Sequence, residues 1–476
     1  MVKQEGITVK KDENFSEWYT QTIIKSEMAD YTAVSGSIVY RPKSYAIWET
    51  IQREVDKKLK KLGVQNAYFP LFIPEKYLMK EANHIEGFSP EVAWVTHAGN
   101  SKLDERLAIR PTSETIMYPS YAKWIRSWKD LPLKLNQWNN VVRWEFKHAV
   151  PFLRGREFLW NEGHTVFAKR EEAEKEMKDI IKLWDSFCKD YLALPSLVGQ
   201  KSEKEKFAGA EYTWSTEFMM PNGKAIQGPD THFDGQNFAK AFDISFLDEN
   251  EKKQLPYQNT WAISTRMMGV MFAIHGDDKG LVLPPKIAPN KVVLIPILFT
   301  KTKDKVMKVA KDIEKNLKKY DGILDDREDY SAGWKFNEWE LKGIPIRVEL
   351  GPKDVENKQA VIVRRDSGEK IVVKLKDITS SIDKILEDIQ TSLFEKAKKA
   401  LYNSIEEVET ISELKKTISK KKIGKANWCG KIACEENIKA KTSTKSLNSE
   451  FNSKGKGKCF ACEAKSEYVT YFGKSY

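Results

Sequence analysis

The cysteines offer a clear metal-binding pattern. Cys429 and Cys434 form a C-x4-C pair, and Cys459 and Cys462 form a C-x2-C pair. Two close pairs can supply the four thiolates of one tetrahedral zinc ion, whereas two disulfides or chance clustering are the alternatives. Disulfides are disfavoured in a reducing cytosol. The spacing therefore predicts structural zinc with no open position for a substrate, and Cys188 is predicted to be a core thiol.

Three arginines are candidates for binding phosphate, because the sequence lacks the common glycine-rich phosphate loops. Arg143 and Arg154 lie in RWEFKHAVPFLRGRE, and Arg266 lies in NTWAISTRMMG. A guanidinium on a rigid strand can bind phosphate oxygens in place of such a loop. Glu145 is predicted to share a strand face with Arg143 and to orient it by an ion pair. An internal salt-bridge network is the alternative.

Two further stretches carry polar groups suited to small ligands. RPTSET contains Thr112 and Glu114, a hydroxyl and a carboxylate that could together hold a cationic amine. The same stretch could instead cap the following helix. IQGPDTHFDGQNF adds Gln227, Asp230 and His232 in a glycine-rich polar context typical of a site. A lone histidine is more often a core group, so both interpretations stay open.

The elements that must position these residues are predicted from periodicity. Residues 44–62 predict an amphipathic helix with Ser44 as a possible N-cap. Its buried stripe recurs every fourth position, at Ile47, Ile51, Val55 and Leu59. The following QNAYFPLFIP predicts a proline-bearing edge strand, and the helix and strand together suggest a dimer surface.

The chain divides into three predicted domains. Seven strand-like stretches surround a helix at 170–192, which is typical of an antiparallel α+β domain spanning 1–285. The prolines of LPPKIAPNK end it, and alternating strands and helices predict an α/β domain over 286–404. A small third domain, 405–476, contains the cysteine pairs.

Composition limits the class of protein. The 476 residues are 41% hydrophobic and 31% charged, as in a folded globular protein. No run approaches eighteen apolar residues, and the charged start lacks the apolar segment of a secretory signal, so we expect a cytoplasmic protein with no membrane span. The net charge of +11 fits either a nucleic-acid partner or a lysine-rich solvated surface.

Together these stretches resemble the three signature motifs of class II aminoacyl-tRNA synthetases. The helix and strand at 44–74 are similar to motif 1, RWE with its loop and RGRE to motif 2, and WAISTR to motif 3. Within that class, four further stretches resemble the archaeal and eukaryotic-like prolyl-tRNA synthetases. These are RPTSET, FAGAEYTWSTEFMMPNGKAIQG, HGDDKGLVLPPKIAP and ELGPKDVENKQAVIVRRD. The match runs in order over nearly the whole chain.

The resemblance implies a fold and an activity. The fold would be α+β: an antiparallel-sheet catalytic domain, an α/β anticodon-binding domain and a small C-terminal α/β zinc-binding domain ending in Tyr476. The activity would be ligation of L-proline to tRNA(Pro) through prolyl-adenylate, with ATP and Mg²⁺, in a homodimer formed through motif 1.

The resemblance also implies residue roles. Thr112 and Glu114 would bind the imino group of proline, and Trp160 and His232 would shape the pocket around its ring. Arg143 would bridge the proline carboxylate and the ATP α-phosphate.

The remaining implied roles concern ATP. Glu145 would accept a hydrogen bond from the adenine amino group, and Arg154 and Arg266 would hold the γ-phosphate side, so that with Arg143 they form the predicted catalytic set. The nucleotide site would also include Gln227, Asp230 and Ser264. The chain departs from the family pattern at Ala262, where motif 3 usually has glycine, and at Asp230, where threonine is common.

Two other functions remain open from the sequence. One is a class II ligase for a different amino acid, such as a threonyl-, glycyl- or histidyl-type enzyme. The other is a non-catalytic synthetase-like RNA-binding protein, although such a protein would be expected to lose the three arginines.

Overall fold

The computed structural model describes residues 6–84, 91–145 and 149–476. The middle of the predicted motif 2 loop, including Phe146, lies outside these described residues. Within the described ranges, three single turns of 3-10 helix occur, at Trp128–Asp130, Lys318–Tyr320 and Leu375–Asp377.

The α-helices of the described residues follow in chain order. They are α1 Phe15–Lys25, α2 Pro42–Lys61, α3 Glu75–His84, α4 Glu114–Trp124, α5 Arg170–Asp190, α6 Asn237–Phe242, α7 Arg266–His275, α8 Lys303–Leu317, α9 Ala332–Leu341, α10 Pro352–Glu356, α11 Ile378–Asn403, α12 Ile411–Ser419 and α13 Ile432–Thr442.

The β-strands of the same ranges are mostly short. They are β1 Ala29–Tyr31, β2 Ile38–Tyr40, β3 Gln65–Asn66, β4 Phe72–Pro74, β5 Trp94–Ala98, β6 Ser101–Ile109, β7 Leu133–Val142, β8 Glu157–Phe167, β9 Leu197–Gln200, β10 Tyr212–Met219, β11 Lys224–Gly235, β12 Phe246–Leu247, β13 Lys253–Gln254, β14 Tyr257–Ser264, β15 Val292–Pro296, β16 Ile323–Leu324, β17 Ile346–Leu350, β18 Gln359–Arg364, β19 Lys370–Lys374, β20 Ile405–Glu407, β21 Ile423–Trp428, β22 Lys445–Lys454 and β23 Tyr468–Ser475.

One large sheet carries the predicted site. Its order is β20-β21-β23-β22-β9-β10-β11-β14-β8-β7-β3. The strands from β9 to β7 pair antiparallel, and β3 adds a parallel edge strand. The predicted α+β class with an antiparallel catalytic sheet is therefore confirmed. The sequence did not predict that β22 pairs with β9, so that strands of the third predicted domain extend the same sheet.

Alternation along the central strands separates two faces. In β11, Thr231 and Phe233 pack toward α5, where the Thr231 hydroxyl contacts the sulfur of Met177. Asp230 and His232 therefore point to the opposite side, which we call the cleft face. The other face of the sheet, on the side of α5, is buried in a core formed mainly by α1, α2, α5 and α7.

The predicted motif 1 region is partly corrected. The apolar stripe of α2 is buried as predicted. The helix begins at Pro42 and not after Ser44, because proline has a preset φ and needs no intrahelical donor in the first turn. Ser44 instead lies inside α2 and donates to the Met28 carbonyl at 2.6 Å. The predicted edge strand is two pieces, β3 in the large sheet and β4 paired with β6 in another sheet.

The second predicted domain contains a five-stranded sheet in the order β16-β15-β17-β18-β19. The first three strands are parallel and the last two are antiparallel. Helices α8 and α11 cover it, and their apolar faces fill a separate buried cluster. The boundaries near 285 and 404 remain predictions of the sequence.

None of the helices in the described ranges is long and apolar enough to cross a membrane.

Candidate active site

Five residues predicted to bind an amino acid line one cleft on the cleft face. This first cleft is lined by Thr112, Glu114, Arg143, Trp160 and His232. They come from four places in the chain: the turn into α4, the end of β7, and strands β8 and β11. The structure therefore brings together all residues predicted to bind proline.

The turn before α4 holds the hydroxyl and carboxylate pair. The Thr112 hydroxyl donates to Glu114, and both side chains are buried. The predicted capping alternative is not realised, because Ser113 is the N-cap residue and makes no side-chain cap bond. A buried carboxylate with one hydroxyl partner retains acceptor capacity for a cation.

Arg143 lies at one wall of this cleft. Its Nε donates to the Pro111 carbonyl at 2.9 Å, and its guanidinium carbon lies 5.3 Å from the centre of the Trp160 ring. The Trp160 Nε1 donates to Asn139 at 2.6 Å, which fixes the ring. The guanidinium also lies 5.5 Å from the centre of the Phe158 ring. It is thus oriented by one backbone bond and two aromatic rings, and its Nη groups can bind an anion.

Glu162 organises the floor of the cleft, and sequence reasoning missed it. The buried carboxylate accepts from the Ser113 amide at 3.0 Å, from Gln137 at 2.9 Å and from Asn139 at 2.7 Å. The Ser113 hydroxyl also donates to it, and His164 Nε2 lies 3.1 Å away.

These partners decide the charge of Glu162. Burial opposes ionisation, but the hydrogen bond and positive charge of His164, with the bonds from Ser113 and Asn139, lower the pKa of Glu162 to about 2. Burial likewise opposes the imidazolium form, but the bond to Glu162 and the charges of Glu114 and Glu162 raise the pKa of His164 above its ordinary value. Glu162 is therefore ionised, and its contact with His164 and the surrounding hydrogen bonds offset the cost of burying its charge.

His232 and Asp230 form the opposite wall. The His232 ring stacks on Phe207 at 4.6 Å, and its Nδ1 is hydrogen-bonded to the Thr213 hydroxyl at 2.9 Å. Its Nε2 lies 3.5 Å from Asp230, which also accepts from Gln227 at 2.6 Å. Burial opposes ionisation of Asp230, but His232 and Gln227 lower its pKa. Asp230 thus has partners within the protein, which reduces its repulsion of an anion.

The second cleft adjoins the first and shares Gln227 with it. It is lined by Arg154 and Arg266, the other two predicted phosphate ligands. Arg266 is the first residue of α7 and donates to the backbone carbonyls of Leu153 and Gln227, at 3.3 and 3.2 Å. Burial and then the nearby charge of Arg143 lower the pKa of Arg266. Two adjoining clefts therefore concentrate three guanidinium groups.

Two predicted nucleotide residues lie outside both clefts. Glu145 is exposed, and Ser264 is the last residue of β14, where its hydroxyl accepts from the Arg266 amide at 3.3 Å. The predicted Arg143–Glu145 ion pair on a strand face is wrong. Strand β7 ends at Val142, so both residues follow the strand and do not share a strand face.

Other residues that line the clefts were not predicted from the sequence. The buried Lys201–Glu217 ion pair, 2.5 Å between Nζ and Oε1, lines the second cleft together with Tyr476. Alternate residues of a β-strand point to the same face, so the position of Trp160 could have predicted that Glu162 and His164 share its face. No local pattern indicates Lys201 or Tyr476, because long-range pairing brings them to the cleft.

The four cysteines of the third domain converge as predicted. Their sulfur atoms all lie within 4.8 Å of one another. Cys429 and Cys462 are separated by 3.6 Å, and Cys434 and Cys459 by 3.8 Å. Four Zn–S bonds of about 2.3 Å in a tetrahedron separate the sulfurs by about 3.8 Å. The thiols therefore fit zinc, and Cys188 is buried in the core as predicted.

Comparison with protein families covers most of the chain. The class II core domain of tRNA synthetases (G, H, P, S and T) matches residues 94–275. The anticodon binding domain matches 291–385, and the prolyl-tRNA synthetase C-terminal domain matches 411–476. Both clefts draw most of their lining residues from the first match.

Individual relatives match over nearly their full length. A proline–tRNA ligase of Alkaliphilus oremlandii is 47% identical over 97% of this chain and 96% of its own length. One from Clostridium botulinum is 46% identical over 98% and 97%. The crystal structure of a Cryptosporidium parvum prolyl-tRNA synthetase, complexed with halofuginone and AMPPNP, is similar with a TM-score of 0.96 and 46% identity, covering 100% of this chain and 98% of that one.

The sequence left two alternative functions open: a ligase for another amino acid and a non-catalytic RNA-binding protein. These matches favour neither of them. The matched core domain is shared by several class II synthetases, whereas the matched C-terminal domain is that of prolyl-tRNA synthetases. The chain therefore belongs to the prolyl-tRNA synthetase family, the class II ligases that join proline to its tRNA.

Proposed function

We propose that the first cleft binds proline and the second binds the triphosphate of ATP. The observation that carries this assignment is the convergence of Arg143, Arg154 and Arg266 on adjoining clefts. Like charges gathered close together repel one another, and a polyanion bound between them relieves that repulsion. ATP, which the class II core implies as a substrate together with Mg²⁺, is such a polyanion.

The first cleft fits a small cyclic imino acid. Glu114, oriented by Thr112, would accept from the imino cation, while Trp160 and His232 would enclose the ring. Arg143, which lines the first cleft and whose charge lies near Arg266, would bind the proline carboxylate and the α-phosphate. We keep Glu145 as a partner of the adenine amino group, because an exposed carboxylate after β7 has acceptor capacity. Ser264 orients the Arg266 amide, which is a supporting role.

The first chemical step needs no general base. The proline carboxylate is already an anion and would attack the α-phosphorus in line, which releases pyrophosphate and forms prolyl-adenylate. Catalysis is then positioning and charge neutralisation by Arg143, Arg154 and Arg266, with Mg²⁺ supplying further positive charge. The terminal ribose hydroxyl of tRNA(Pro) would then attack the adenylate carbonyl.

Proline-dependent exchange of pyrophosphate into ATP tests this assignment. We expect Arg143→Ala and Arg266→Ala each to reduce the kcat of exchange by about 100- to 1,000-fold, as for loss of one preorganised group that stabilises charge in the transition state. Arg126→Ala, which removes an exposed arginine outside both clefts, is the matched control and should retain activity.

Two results would contradict the assignment. One is exchange with threonine but not with proline. The other is equal activity of Arg143→Ala and Arg126→Ala, because the clefts would then not bind the reacting groups.

The Glu162 carboxylate should matter for proline more than for ATP. Glu162→Gln replaces an acceptor with an amide and leaves donors on Ser113 and Asn139 poorly matched, at a cost of about 1–3 kcal/mol. We expect kcat/KM for proline to fall about 10- to 100-fold by that cost. Glu157→Gln on the same strand, whose carboxylate accepts from Asn140 at 2.9 Å, is the control.

The pKa of Glu162 adds a stability test. A carboxyl group whose pKa is lowered on folding stabilises the protein above its unfolded value, about 4.3, and this contribution is lost as the pH falls toward about 2. The free energy of unfolding in urea should therefore fall less steeply below pH 4.3 in Glu162→Gln than in the wild type. Identical slopes would mean that Glu162 is not ionised in the folded protein.

We propose that the four thiols bind one structural zinc ion. Because all four thiols must stay unoxidised to bind the ion, this site favours a reducing, cytoplasmic location. Metal analysis of the purified chain should give one zinc per chain. Cys434→Ser should lose this zinc and lower the melting temperature, whereas Cys188→Ala should retain it. Zinc retained by Cys434→Ser would place the metal elsewhere.

We also propose a homodimer formed through the motif 1 region. Three large apolar side chains there are unusually exposed in the single chain: Tyr45 at 44%, Tyr68 at 69% and Phe72 at 46%. An exposed apolar patch of this kind typically marks a protein interface.

Sedimentation equilibrium of the purified chain tests the dimer. The mass should be that of two chains for the wild type and of one chain for the double variant Tyr68→Glu and Phe72→Glu. Val372→Glu, which charges a side chain 61% exposed in the second predicted domain, is the control and should leave the dimer intact. A monomeric wild type at micromolar concentration would contradict the proposal.

A further inference from the structure

An ion pair crosses from the end of helix α7 to the second predicted domain. Arg365, directly after β18, donates through Nη1 and Nη2 to the two carboxylate oxygens of Asp277, at 2.7 and 2.6 Å. The Arg365 side chain is 4% exposed. Such a two-point contact fixes orientation as well as distance. Burial opposes ionisation of Asp277, but Arg365 lowers its pKa, so the pair is charged.

Arg365 and Asp277 each make further hydrogen bonds that hold them in place. Arg365 donates through Nε to the Glu340 carbonyl at 2.9 Å, and its amide donates to the Pro345 carbonyl at 2.9 Å. The Asp277 carbonyl accepts from the Trp18 indole at 2.9 Å. The contact therefore joins two rigid parts of the protein and not two mobile side chains.

Helix α7 connects this contact to the second cleft. Its first residue is Arg266, and Asp277 follows two residues after its last, His275. Most of the residues between are buried, and the His275 imidazole is hydrogen-bonded to the Leu192 carbonyl at 2.9 Å. Ten residues make a helix about 15 Å long. A helix packed on all sides can shift only as a unit.

We propose that Asp277 and Arg365 are positioning residues for ATP, which act by fixing α7 so that Arg266 stays aligned in the second cleft. This inference rests on the proposed role of Arg266. Neither residue touches either cleft, so the pair acts only through the helix. The second predicted domain then contributes to adenylate formation even when no tRNA is bound.

The chain contains a matched pair that does not cross between domains. Arg364, next to Arg365, binds the two carboxylate oxygens of Asp366 at 3.0 and 2.9 Å. The Arg364 side chain is 13% exposed, so in both pairs a largely buried arginine makes a two-point contact, although Asp277 is 41% exposed and Asp366 only 3%. Loss of this pair removes the same kind of interaction without releasing α7.

The test is proline-dependent pyrophosphate exchange by the full chain without tRNA. Arg365→Ala and Asp277→Asn should each raise KM for ATP about fivefold, a typical effect of a remote coupled residue, and leave KM for proline within about twofold. The double variant should raise KM for ATP no further than the larger single effect. Arg365→Lys should be intermediate, and Arg364→Ala should match the wild type.

The outcomes separate the inference from the proposed function. Unchanged KM for ATP in Arg365→Ala and Asp277→Asn, with impaired exchange in Arg266→Ala, would overturn the positioning role alone. Unchanged kcat and unchanged KM for ATP in Arg266→Ala would overturn both. If the variants only lower the melting temperature, or raise KM for proline equally, the pair is structural and the inference is wrong. Asp277→Asn keeps the side-chain shape, so a folded variant is available.

Discussion

The active site depends on one buried carboxylate with many partners. Glu162 accepts hydrogen bonds from the turn that carries Thr112 and Glu114, and from Asn139, which fixes Trp160. An ionised group without these partners would be costly to bury, so the charge requires the surrounding donors to stay in place. The proposed ligands of proline are thus positioned by a residue that need not touch proline itself.

The sequence predicted which candidate residues lie together better than it predicted their backbone setting. Thr112, Trp160 and His232 line one cleft, as the resemblance implied. A motif match can predict such a grouping because it carries information about long-range structure. The pattern around Arg143 and Glu145 looked like a continuing strand, but β7 ends at Val142 and the chain turns into the motif 2 loop. Alternation alone does not show where a strand ends, since hydrogen bonding to the neighbouring strand decides it.

The same limit explains the helix and strand of motif 1. Four-residue periodicity correctly predicted the buried face of α2, because burial depends on side-chain direction. The start of that helix depended on Pro42, and Ser44 found a different partner in the Met28 carbonyl. Residues such as Lys201 and Tyr476 reach the second cleft by pairing of distant segments, which no local pattern encodes.

The pairing of β9 with β22 has a consequence for how the chain is organised. Strand β9 would be an outer strand of the catalytic sheet, with open backbone donors and acceptors, if β22 did not lie beside it. Such an open edge invites pairing with other chains. The third predicted domain therefore covers the edge of β9, and this edge stays open during synthesis until the C-terminal segment has been made and has folded onto it.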